Sequence, residues 1–339
     1  MKCLSLLLLA LQLSAEVPEA LVEARRGAVS AREGKYELAI QHYQAALRLD
    51  PHLPGLHLNL GLAYFKSNHS VEATAAFEEA IRADPAGFQA RALLGMSYYG
   101  AARYQDAAGQ LKLASAAQPE NLELRHALAQ SYLWSGQYTQ AIEEFRLLLT
   151  KDPNSPAAHM LLGQVLDAAA RTDDAIAEFE AAVKATAVPA EAHFGLGYLY
   201  WKQKRLEDAR REFQAELAAQ PQHAQALAYL GDTEMRLEQP NAAVDHLREA
   251  LACDANIRLA HLDLGIVLST SNDSGKAAGH FREAIRLDPS KTDAHYRLAR
   301  LWTSMGRQKD AREEFENVKK LAAEESVPPL IDVSGHPHP

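Results

Sequence analysis

The feature that most constrains this chain is an alanine that returns every 34 residues: Ala39, Ala73, Ala107, Ala141, Ala175, Ala209, Ala243, Ala277 and Ala311. Nine identical small residues at one phase, with no insertion or deletion between them, mark a packing constraint met nine times over. Counted in steps of 34, the repeats begin at Ala20, Pro54, Phe88, Leu122, Pro156, Ala190, Ala224, Arg258 and Thr292. The eighth place is small as well: Gly27, Gly61, Gly95, Ala129, Gly163, Gly197, Gly231, Gly265 and Ala299. The seventh is leucine from Leu60 to Leu298, with Arg26 in the first repeat. One turn after each alanine comes a large residue: Tyr43, Phe77, Leu111, Phe145, Phe179, Phe213, Leu247, Phe281 and Phe315. Small against large at fixed phase lets helices interlock without voids.

The second repeat shows what each copy contains. Leu58, Leu60, Leu62 and Phe65 make one amphipathic segment. Ala73, Phe77, Ala80 and Ile81, spaced three and four apart, make another, and Asp84-Pro85 ends it. Two helices back to back cannot bury their own apolar faces and need copies on either side. Helix-ending prolines recur at Pro51, Pro85, Pro119, Pro153, Pro221 and Pro289. Gly34, Asn68, Gly136, Asn272 and Gly306 share a phase between the helices, where a left-handed backbone is useful.

On these residues the chain resembles the tetratricopeptide-repeat (TPR) family, whose period is 34 and whose pattern places Leu-Gly, Tyr, Ala, Phe and Pro in this order. The resemblance runs from Ala20 to Ala323. It implies an all-α fold, an α-solenoid that coils as a right-handed superhelix of antiparallel helix pairs. First helices would line a concave face and second helices a convex one. The ends depart from the pattern as caps do: Arg25, Arg26 and Arg32 wet the first helix, and the last repeat's second helix carries charge on its outer faces.

Residues 16–323 are therefore assigned to the array, leaving 1–15 and 324–339. The start, a lysine, an apolar run from Cys3 to Leu13 and a small-residue exit at Ser14-Ala15, reads as a signal peptide. A helix covering the first repeat is the alternative. The apolar run is too short to span a bilayer. Read as a signal, it makes the protein exported, periplasmic or secreted; otherwise it is cytoplasmic. Cys253 then stands alone and reads as a small core residue rather than a disulfide or metal residue. The tail from Ser326, with four prolines and no helical period, reads as mobile.

The array leaves no stretch for a catalytic domain, and no phosphate-binding loop, HExxH or nucleophile elbow occurs in it. Gly195-Leu-Gly197 lies inside a helix with no strand before it, which is the wrong setting for a nucleotide fingerprint. A net charge of −9 excludes the basic footprint of non-specific nucleic-acid binding. His57, His159, His193, His261 and His295 share the fourth place, and successive copies stand a helix-packing distance apart. They read as stand-ins for the aromatic residue that the family often has there, so neither a metal nor another cofactor is expected. His336 and His338 in the tail are the residues that would hold a metal adventitiously.

In the family, the second, fifth, ninth and twelfth to thirteenth places face the concave groove. Carried over by position, they give Leu58, Leu62 and Phe65, then Met96 and Tyr99, Trp134, Phe194, Tyr198 and Trp201, Arg236, Tyr296 and Arg300. Trp, Tyr, Met and Arg are enriched at protein interfaces. Trp134, Tyr198 and Trp201 are the expected exposed anchors. The Lys and Asn clamp of chaperone-binding members is absent, since its places read Ala24, Ala28, Asn59, Gln89 and Ala92. The expectation is a non-enzymatic scaffold that binds a peptide or helical segment of a protein partner, with no nucleic acid and no stable membrane span. The alternative is an accessory or regulatory subunit acting in trans with an enzyme or an envelope assembly or secretion complex.

Overall fold

The computed structural model describes residues 17–271 and 273–325, all of them in helices or in the short turns between them. The leading segment, Asn272 and the tail from Ser326 lie outside the described residues. The first repeats contain α1 (Glu19–Arg32) and α2 (Tyr36–Leu49), α3 (Leu56–Lys66) and α4 (Ser70–Ala83), and α5 (Phe88–Gly100) and α6 (Tyr104–Ala117). Next come α7 (Leu122–Trp134) and α8 (Tyr138–Lys151), α9 (Pro156–Ala168) and α10 (Thr172–Val183), and α11 (Ala192–Lys202) and α12 (Leu206–Ala219). The last are α13 (Ala224–Arg236) and α14 (Pro240–Cys253), α15 (Arg258–Thr270) and α16 (Ser274–Leu287), and α17 (Thr292–Ser304) and α18 (Gln308–Glu325). The helices fall into two compact halves that divide between Arg171 and Thr172. Within each half a helix packs on the one before and the one after it, and successive first helices also touch.

The alternation of small and large residues becomes a contact inside helix pairs of both halves. A Cβ placed on Gly61 would stand 2.6 Å from the Phe77 ring. Gly27 stands in the same relation to Tyr43, Gly95 to Leu111, Gly231 to Leu247 and Gly265 to Phe281, each at 2.6 Å. The nine alanines are buried, and Phe77, Phe145, Phe213 and Phe281 are among the most enclosed side chains. Phe315 differs, 39% exposed, because no further described helix packs on α18. Cys253 also departs from expectation: it is the last residue of α14 and is exposed, not core.

The turn between the two helices of a repeat demands a left-handed residue. Gly34, Asn68, Gly136 and Gly306 supply it with φ of 62–75°, as expected. The same phase holds Ala102, Ala170, Lys204 and Glu238, with φ of 57–60°. Nothing in those side chains favours that region; the fixed length of the turn imposes it. Two first helices start late. α3 follows Pro54-Gly55, with Gly55 at φ 73°, and α11 follows Glu191 at φ 65°. The Phe194 N–H at the start of α11 donates to Glu216 Oε2 at 3.1 Å, and Gln220 Nε2 donates to the other oxygen at 2.7 Å. The buried Glu216 thus satisfies a helix end from outside the helix.

Polar clasps join one repeat to the next. Tyr98 Oη donates to Glu78 at 3.0 Å and Tyr200 Oη donates to Glu180 at 2.7 Å, while Gln44 Nε2 donates to Tyr64 Oη at 2.7 Å. An arginine lies over the ring in several copies: Arg103 on Tyr98, Arg205 on Tyr200 and Arg307 on Trp302. Burial, reinforced by Glu180, pushes the Tyr200 hydroxyl up to about 12.

Two sets of substitutions separate packing from conformation. Gly61→Ala and Gly265→Ala are expected to cost about 1–3 kcal/mol by overpacking. Gly109→Ala and Gly279→Ala, helical positions where a Cβ meets nothing within 4 Å, should gain up to about 1 kcal/mol. Denaturant titration of the four variants checks the contrast. Replacing Ala102 or Lys204 with glycine should raise stability by about 0.5–1 kcal/mol, by removing left-handed strain. A loss of stability there would show that the turn is unstrained.

Candidate partner-binding face

Within each half, α1 touches α3, α3 touches α5 and α5 touches α7, and likewise α11, α13, α15 and α17 follow one another. Among the described residues of each half, successive second helices have no comparable contact, so the first-helix side is the more closely packed one. The inherited binding positions lie on this side. Their exposure sorts them into two groups.

In the N-terminal half the face is apolar and open. Leu62, Phe65 and Met96 are exposed, and Trp134, at 55%, is the most exposed of the predicted aromatics. Tyr99 is half-buried; its hydroxyl donates to Gln130 at 3.4 Å and its ring meets Tyr104, which in turn lies 6.3 Å from Trp134. Tyr104 belongs to α6 and was missed by a reading confined to first helices. Tyrosine at the same place in Tyr36 and Tyr138 was the available signal. Leu58 is half-buried and, with His57, lines a separate cavity of about 1170 Å³ between the turn at Leu53 and the start of α5 at Phe88.

In the C-terminal half the aromatics satisfy one another. Tyr198 stacks on Trp201 with centroids 5.9 Å apart, and both meet Tyr229 edge-on, at 5.5 and 5.0 Å. Phe194 lies against Tyr229 and His223. The Trp201 indole N–H donates to Asp232 at 2.5 Å, and Arg236 Nε donates to the same oxygen at 2.7 Å while its guanidinium lies over the indole. Tyr198 and Trp201 are therefore half-buried members of a closed cluster rather than free anchors. Tyr296 and Arg300 are exposed, with Tyr296 resting edge-on against Phe315. Between these groups Asp263 is buried, and one of its oxygens has no hydrogen-bond partner. Burial first, and then the carboxylate of Asp232, push its carboxyl well above the ordinary range.

The fourth-place histidines neither form a metal row nor serve as plain aromatic substitutes. His193, His261 and His295 pair across the hairpin with the twenty-third place, while the twenty-third place opposite His57 is Ala76. His193 Nδ1 meets Glu212 at 2.7 Å, His295 meets Glu314 at 2.6 Å, and Arg125 meets Glu144 at 2.5 Å. The first repeat reverses the pair, with Glu23 accepting from His42 at 2.7 Å, and that bond lowers the Glu23 carboxyl. Repeat eight alone sets two histidines face to face among the described pairs, His261 and His280, with Nδ1 atoms 3.0 Å apart. No group of three or more metal-ligating side chains occurs among the described residues. No described helix is long and apolar enough to cross a membrane.

Comparison with known proteins gives this geometry a family. A model described as TPR repeat matches residues 29–68, and a tetratricopeptide repeat model matches 98–165. A second tetratricopeptide repeat model matches 58–121, 160–216, 196–256 and 262–325. The chain belongs to the tetratricopeptide-repeat family. That family binds protein or peptide partners and is usually non-catalytic. No curated protein matches the chain in sequence. Similar solved structures include a tetratricopeptide repeat protein from Parabacteroides merdae, at 16% identity over 72% of this chain and 96% of that one, with a TM-score of 0.55. The C-terminal part of a TPR repeat-containing protein from Cytophaga hutchinsonii is 16% identical over 70% of this chain and 98% of that one, TM-score 0.57. The Cut9–Hcn1 hetero-tetramer of the APC/C gives 17%, 78% of this chain and 52% of that one, and 0.54. At such identities the likeness is one of fold.

Two half-buried histidines carry a pH signature, one bonded to a carboxylate of its own hairpin and one in the repeat-eight pair. The hydrogen bond that His246 Nδ1 donates to Glu234 at 2.7 Å raises His246 above the ordinary value of 6.5, so that contact stabilises fully below 6.5 and is lost as pH rises through the raised value. Burial, followed by the charge of His261, lowers His280, so its contribution is lost as pH falls from 6.5 towards the lowered value. Imidazole proton NMR should show His246 titrating above 6.5 and His280 below it. The reverse order would refute the pairing.

Proposed function

We propose that this protein is a non-catalytic scaffold that holds an extended or helical segment of a partner protein against its first-helix face. The observation that carries this reading is the run of exposed apolar side chains Leu62, Phe65, Met96 and Trp134 on that face in the N-terminal half. Exposed apolar side chains repeated along one face mark an interaction site, and tryptophan is among the residues most often dominant in such sites. The basic, apolar and small-residue start of the chain supports binding in an exported compartment.

Photocrosslinking residues placed at 65 and 134 should trap one partner in cells, whereas one placed at the exposed Val71 of α4 should not. With that partner purified, Phe65→Ala and Trp134→Ala together are expected to weaken binding by about 2 kcal/mol, roughly thirtyfold. Unchanged affinity in a variant that keeps its helicity would sink the proposal. Export is checked in the same sample, where the mature chain should begin at Glu16 and fractionate outside the cytoplasm.

A further inference from the structure

The pair in repeat eight differs from its counterparts in chemistry. Where the other described pairs set an imidazole or a guanidinium against an oxygen acceptor, α15 and α16 place two imidazoles opposite each other, His261 and His280. The second nitrogen of His261, Nε2, lies 3.1 Å from the carbonyl oxygen of Ala255. A carbonyl only accepts, so Nε2 carries the proton and donates it. In the neutral ring the Nδ1 lone pair is then bare and faces Nδ1 of His280. A histidine whose distal N–H is tied to a backbone carbonyl, with its other nitrogen presented to a neighbour, has the arrangement that fixes metal-ligating histidines.

From this we infer that His261 and His280 form a two-imidazole site for a late first-row divalent cation, of the class of zinc, nickel and copper. The spacing suits it. Metal–imidazole bonds of about 2.0–2.1 Å put two nitrogens of one ion about 2.9 Å apart at a right angle and about 3.4 Å apart at the tetrahedral angle. The observed 3.0 Å lies between these limits. In the metal-free protein the Nδ1 proton of His280 occupies the gap; for the ion to bind there, the neutral ring takes its other tautomer, with that proton carried on Nε2. Both rings are half-buried, so the ion keeps one open side for water. Glu283 stands one turn beyond His280, its carboxylate held by Arg286 at 2.7 Å. Arg248 of α14 brings a positive charge near His280, and Glu283 a negative one. With these charges opposed, nitrogen ligation rather than net charge selects the ion, which excludes magnesium and calcium. Binding would lock α15 to α16 and would not involve the apolar face of the N-terminal half.

The test is calorimetric titration of the full chain with zinc, nickel and copper salts, with magnesium as control, in a background carrying His336→Ala and His338→Ala. One ion per chain is expected. His261→Gln and His280→Gln should each weaken it by at least about tenfold, and saturating metal should raise Tm only where both histidines remain. If either variant fails to fold, the unsubstituted chain decides, because copper should broaden the NMR signals of His261 and His280 before those of the other histidines. Binding that survives both substitutions, that vanishes with the tail histidines, or that broadens other imidazoles first overturns the inference.

Discussion

The repeats of both halves depend on one contact, seen at Gly27, Gly61, Gly95, Gly197, Gly231 and Gly265: a glycine on the first helix lying against a large side chain on the second. At Gly61 and Phe77 the ring occupies the volume that a Cβ would need. That contact sets how closely the two helices approach, and the distance then propagates. Ala73 and its eight equivalents are buried because the helices are this close. The turn between the helices has a fixed length for the same reason, and the backbone at its tip is left-handed whatever residue stands there. The clasp from Tyr98 to Glu78 then ties one finished pair to the previous one.

The two halves use the same scaffold for different surfaces. In the N-terminal half Leu62, Phe65, Met96 and Trp134 at the inner places stay exposed among the described residues. In the C-terminal half aromatic residues at corresponding places are consumed by their neighbours, through Asp232, Arg236 and Tyr229. One face is left sticky and the other stiff. The apolar surface of one half and the imidazole pair of the other are both departures from the repeat. Function in such a chain lies where the copies differ.

The sequence made most of the fold legible because the fold is local. Gly61, Ala73, Phe77 and Pro85 act within one repeat, so a period of 34 reports them directly. The candidate face was less legible because exposure depends on the neighbouring repeat. Trp134 stays open, as its position suggested, whereas Trp201 is closed by an aspartate and an arginine from α13. Tyr104 went unseen because it reaches the face from a second helix. Cys253 looked apolar by its surroundings in sequence, but the last residue of α14 falls outside the packed stripe. The fourth-place histidines looked like aromatic substitutes because their partners lie nineteen residues away, too far for a helical pattern to connect them.

The left-handed turn tip has a consequence for how such a gene can change. Because Gly34, Asn68, Ala102, Gly136, Ala170, Lys204, Glu238 and Gly306 share one phase, a deletion of a few codons leaves the copy it falls in with a helix or turn of the wrong length between two intact neighbours. Loss or duplication of one complete copy moves nothing. Inheritance by whole modules is then the low-risk route to a longer or shorter protein, and single-base substitution at the inner places is the route to a new specificity.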